Sequence, residues 1–161
     1  MHNSTHNPTR RRPSRILRPR SGNAILDMAL VLPLLIALTF GAVEYGYALY
    51  VKHSLQAAAR EGTRAAIVSG ATATDIQTAV DSSMQAAGFA TTKYTRPPTI
   101  EYSTNGTTWS TAWTSAVAGN SIRVTVTTTW GTAGVRVLPT YLGGIGTTKV
   151  LTGSTTMRKE G

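Results

Sequence analysis

Asp27 and Glu44 are the acids whose placement most suggests a chemical role, because they bracket MALVLPLLIALTFGAV (28–43), a run without a single charge. Seventeen helical steps at ~1.5 Å each would set them about 25 Å apart, close to the thickness of a bilayer's hydrocarbon core. Their chemistry is then solvation and charge pairing at the two membrane boundaries. Glu44-Tyr45 reads as an interfacial anchor, an acid beside an amphipathic ring. No catalytic residue is assigned: the sequence offers no nucleophile elbow, no paired carboxylates in a plausible cleft and no phosphate loop. Gly143-Gly144-Ile145-Gly146 lacks the strand-to-helix context of a glycine-rich phosphate loop and reads as a flexible connector. His2, His6 and His53 are too few and too scattered for a metal site, and no cofactor is expected. Cysteine is absent, which excludes disulfides and thiol chemistry.

The net charge of +9 suggests nucleic acid until it is located. Arg10, Arg11, Arg12, Arg15, Arg18 and Arg20 all precede the apolar run, with no acid among them; without these six, ten bases face seven acids. Those ten are scattered, so no nucleic-acid partner is expected. Residues 1–22 are polar, Pro-interrupted and Arg-rich, a composition that cannot bury enough apolar surface to fold alone, and they read as a leader or cytoplasmic tail. Flanking arginines stay on the cytoplasmic side, which orients the chain N-in and C-out. No small-x-small cleavage site follows the apolar run closely, so removal by an ordinary signal peptidase is not expected.

The elements that would position these residues are a long helix over about 23–68, a second helix over 74–87 and a β-rich remainder. The first spans the membrane over 23–46, and Pro33 predicts a kink because the Ala29 carbonyl loses its helical partner. The extracytoplasmic part comprises a helical region, 47–90, and a β-rich domain, 91–161. Ser54, Ala58, Gly62, Ala66 and Gly70 recur every four residues as a small-residue ridge, suited to packing on the chain's own domain or on a neighbouring subunit. In the second helix Ile76, Val80 and Met84 form the apolar stripe, Thr74 is placed to cap the start and Gly88 to end it. A hairpin is expected from 100–104 and 107–113 about Asn105-Gly106, with Tyr102 opposite Trp109. Ile122, Val124, Val126, Thr128 and Trp130 alternate as one covered strand face, and a last strand is expected over 149–157. The fold class is α+β: a long N-terminal transmembrane helix continuing into an extracytoplasmic helix laid on a small antiparallel sheet.

Gly22-Asn23-Ala24-Ile25-Leu26-Asp27, entering the apolar run at once, resembles a prepilin peptidase site. With ALVLPLLIALTFGAVEYGYALY and VKHSLQAAAREGTRAA after it, the stretch 22–68 resembles the TadE-like proteins of the tight-adherence pilus system, and 154–160 is similar to the end of such proteins. The resemblance implies a pilin-like subunit cleaved between Gly22 and Asn23 on the cytoplasmic face. It assigns Gly22 to entry of the extended leader into a narrow active site, and Asp27 to neutralising the new Asn23 amine of a neighbouring subunit. That contact would offset the cost of about 2.5–3.5 kcal/mol for an acid deep in the bilayer. The family pattern usually carries Glu where this chain has Asp27. The implied partners are the prepilin peptidase, other pilin or pseudopilin subunits, the inner-membrane assembly platform and the lipid bilayer. The implied location is the cytoplasmic (inner) membrane, with the C-terminal domain outside the cytoplasm and associated with a surface pilus.

Three classes of function stand beside one another. The first is a structural and assembly subunit of an adhesive pilus. The second is an uncleaved signal-anchored protein presenting a β-rich binding domain. The third, a membrane-tethered enzyme, has no residue constellation to support it.

Overall fold

The computed structural model describes residues 21–134 and 137–160. The leader's residues 1–20, with its six arginines, lie outside them, as do the side chains of Ser21 and Asn23. The described residues divide into two units between Leu35 and Ile36. It is α+β, as expected: helix α1 (Ser21–Ala66), helix α2 (Ala73–Ala86), strands β1 (Thr99–Ser103) and β2 (Ser121–Thr129), the single-turn α3 (Trp130–Ala133) and strand β3 (Val150–Arg158).

Helix formers dominate α1, and Pro33 lies inside it. In the first unit Ile25, Leu26, Met28, Leu30 and Leu34 are all exposed. Such a surface is stable in hydrocarbon rather than in water. Among the described residues this is the one helix long and apolar enough to cross a membrane.

In the second unit α1 becomes one-sided. Ala48, Val51, Leu55, Ala58, Ala59 and Ala66 are buried, while Lys52, Arg60, Glu61 and Arg64 face outward. The apolar stripe of α2, Ile76, Val80 and Met84, packs into the same core. Thr72, not Thr74, caps α2: its hydroxyl accepts from the Asp75 N–H at 3.2 Å, and Asp75 accepts from the Thr72 N–H at 2.9 Å. This reciprocal box satisfies two helix-end donors together, which a cap at Thr74 would leave open. The Asp75 carboxyl is held below its usual range by the Thr72 hydroxyl and N–H.

The three-stranded sheet has the order β1-β2-β3, antiparallel throughout. Ile122, Val124, Val126 and Thr128 of β2 are buried as the alternation demands, and Trp130 continues that face into α3, fully buried. Two glycines let α1 approach the sheet. A Cβ on Gly153 would overlap the backbone of Leu55, and one on Gly62 would lie 2.6 Å from Val80 Cγ2 and 3.2 Å from Val124 Cγ1.

The expected hairpin is not formed as drawn. Tyr102 pairs across to Ile122 of β2, and 107–113 supplies only an isolated bridge, Tyr102 to Ser110. The turn at Asn105-Gly106 exists, but Asn105 Oδ1 accepts the Thr107 and Thr108 N–H groups at 3.0 and 2.9 Å. A side chain that takes those donors withholds them from a ladder. Trp109 instead lies under the Arg123 guanidinium, 3.9 Å from its ring centre.

Candidate functional site

Gly22, Asn23 and Asp27 lie on α1, with Asp27 exposed. Pro33 follows on the same helix. Among the described residues no group of three His, Cys, Asp or Glu is placed to hold a metal.

The most elaborate polar arrangement surrounds Glu44, where α1 leaves its exposed apolar run. Glu44 and Tyr45, expected together as an interfacial anchor, are used separately. Tyr45 is 55 % exposed and donates its hydroxyl to the Gly143 carbonyl at 3.3 Å. Glu44 is only 1 % exposed, turned inward onto the loop 137–146. One carboxylate oxygen accepts the backbone N–H groups of Leu138 at 2.9 Å and Val137 at 3.4 Å; the other accepts that of Ile145 at 2.8 Å. Burying a carboxylate is costly, and backbone donors aimed at both oxygens offset that cost in place of a counter-charge. The indole of Trp130 also contributes to the carboxylate's surroundings. Its Nε1 is the one buried side-chain polar atom among the described residues that meets no hydrogen-bond geometry.

The sequence allows the cradle because residues 137–146 can fold back on themselves. Gly143 sits at φ +92°, and a Cβ on Gly144 would overlap the Leu138 carbonyl. The glycine-rich stretch is therefore a connector shaped to wrap a carboxylate. A glycine cluster downstream and an acid at the end of an apolar helix were both visible; their meeting across about a hundred residues had no local signal.

The small-residue ridge is divided too. Ser54, Ala58, Gly62 and Ala66 are buried in the chain's own core, whereas Gly70 is exposed beyond the helix. Next to this ridge lies a contact missed by sequence reasoning. The Gln56 side-chain amide donates to the Ser154 carbonyl at 2.7 Å and accepts the Ser154 N–H at 3.2 Å. It therefore pairs with the outer edge of β3 as another strand would, and blocks that edge. Thr63 donates to the Thr155 carbonyl at 3.1 Å. A glutamine on a helix gives no advance sign of this role.

A second polar cluster ties α2 to the approach to β1. Asp81 accepts from Gln77 at 2.7 Å, the Tyr94 hydroxyl at 2.6 Å and Arg96 Nη2 at 2.5 Å. Burial pushes the Asp81 carboxyl up, but the bonds from Arg96, Tyr94 and Gln77 outweigh it and hold the group below its usual range. Burial, together with the Asp81 charge, raises the Tyr94 hydroxyl, so it remains a donor.

No curated protein matches the chain and no solved structure matches it. A family model described as TadE-like protein matches residues 22–64, about a quarter of the chain, from the Gly22-Asn23 pair through the Glu44 turn to the last turn of α1. Over residues 22–64, then, the chain is similar to the TadE-like proteins.

Proposed function

We propose that this chain is a minor pilin-like subunit of a tight-adherence type IV pilus system, inserted N-in and C-out in the cytoplasmic membrane and processed after Gly22. The observation that carries the reading is the TadE-like match beginning at Gly22, where glycine, four residues and Asp27 lead directly into the uncharged run 28–43. The chemistry is assembly. A prepilin peptidase removes the arginine-rich leader, and the new Asn23 amine faces the Asp27 carboxylate of a neighbouring subunit. Helix α1 then places the α/β unit outside the membrane, where the pilus contributes to surface adhesion. Residues 21–23 are helical, so the backbone there must open before the bond after Gly22 is cut.

The test is complementation in a strain lacking this chain, read as pilus formation and surface attachment. The wild-type chain restores both, whereas Gly22→Val, which places a branched side chain at the cleavage site, and Asp27→Leu, which removes the amine's partner, restore neither while accumulating in the membrane. Undiminished piliation in the deletion strain would overturn the proposal.

A further inference from the structure

We propose that the loop 137–146 is a second membrane contact, seated among the headgroups and upper acyl chains of the bilayer that α1 enters. The proposal rests on the reading of α1 as a membrane span. Three observations within the second unit point to it.

The first is position. The bonds to Glu44 tie the loop to α1, and Leu138 Cδ1 lies 3.5 Å from where a Cβ on Gly41 would stand. The loop is therefore level with residues 41–45, on the stretch of α1 that also carries the exposed apolar side chains Leu38, Phe40 and Val43. A loop at that height meets the surface those side chains enter.

The second is composition. No charge occurs between Arg136 and Lys149. Tyr141 of the loop is 85 % exposed and Val137 is 37 % exposed, and Tyr45, which bonds to the loop, is half-exposed. Exposed tyrosines beside aliphatic groups suit the boundary between headgroups and hydrocarbon, where the ring is desolvated and the hydroxyl stays wet.

The third is the backbone. Irregular chain is tolerated in a low-dielectric layer only where its polar groups find partners. The N–H groups of Val137, Leu138 and Ile145 are taken by Glu44, those of Gly143 and Gly144 by the carbonyls of Thr140 and Pro139, and the Gly143 carbonyl accepts from Tyr45. Pro139 has no N–H to satisfy. Glu44 and the loop's own carbonyls thus take five of the loop's nine backbone N–H groups, which lowers the cost of seating it among headgroups, where the remaining polar groups still reach water. That role explains why a carboxylate is buried there when a well-packed leucine would avoid the desolvation cost.

The absence of cysteine permits a direct test on the full chain. Val43→Cys, Tyr141→Cys and Thr107→Cys, each at an exposed position, carry an environment-sensitive fluorophore in phosphatidylcholine and phosphatidylglycerol vesicles. Nitroxide-bearing lipids then quench from shallow or deep positions. Shallow nitroxides are expected to remove about half or more of the emission at 43 and at 141, and about a tenth or less at 107 on the distal turn. A label at 141 that behaves like that at 107 while 43 is quenched overturns the loop contact and leaves the span intact. It would assign Tyr141 to water or to a protein partner. Failure to quench at 43 as well overturns the span and the loop contact together.

Discussion

Glu44 is held by donors that have few alternatives, since the loop N–H groups of Leu138 and Ile145 point at its carboxylate from both sides. Truncating the side chain to a methyl group removes every acceptor at once. Glu44→Ala is expected to cost about 2–4 kcal/mol, the range for stranding several buried donors; denaturant titration of the full chain in detergent measures it. Glu44→Gln is expected to recover only part of this, because its amide NH2 would face backbone N–H groups. Equal stability of all three proteins would show that the carboxylate does not organise the loop. Glycine packing gives a second comparison at this scale. Gly153→Ala drives a methyl into the α1 backbone at Leu55, whereas Gly62→Ala meets Val80 and Val124 side chains that can shift. The former is expected to cost about 3 kcal/mol or more and the latter about 1–2, within the usual range for overpacking.

Between elements, Asp81 makes the sharpest prediction, because it joins α2 to the segment entering β1. Its folded-state pKa lies below the usual value, so its stabilisation is complete above the unfolded value near ~3.9 and is lost as pH falls through the folded one. Asp81→Asn is expected to lower stability by about 1 kcal/mol at neutral pH, with the difference from wild type vanishing in strong acid. A difference that persisted unchanged in acid would assign the effect to packing. Elements with their own periodicity were the legible part of the fold. The stripe Ile76, Val80, Met84 and the alternation from Ile122 to Trp130 each mark a buried face before any tertiary contact is known. The expected partner of β1 was wrong because Asn105-Gly106 is a genuine turn whose donors are consumed by the Asn105 side chain. Turn residues announce a reversal of direction, but not which strand wins the pairing. Contacts such as Glu44 to the 137–146 loop and Gln56 to β3 join residues about a hundred positions apart, where no local pattern can report them.

At the scale of the molecule, two features support one account. The match over 22–64 begins where a leader would be cut, and among the described residues one helix is long and apolar enough to cross a membrane. The large positive charge belongs to arginines ahead of Gly22, so a mature chain that starts at Asn23 is only mildly basic. The most direct measurement of the central claim is the N-terminus of the mature protein, read by mass spectrometry after coexpression with a matched prepilin peptidase. The account predicts a chain beginning at Asn23, and an uncleaved precursor when Gly22 is replaced by Val. A wild-type chain that keeps its arginine leader, beside a control substrate that the same peptidase cleaves, would contradict it and favour an uncleaved signal anchor presenting a binding domain.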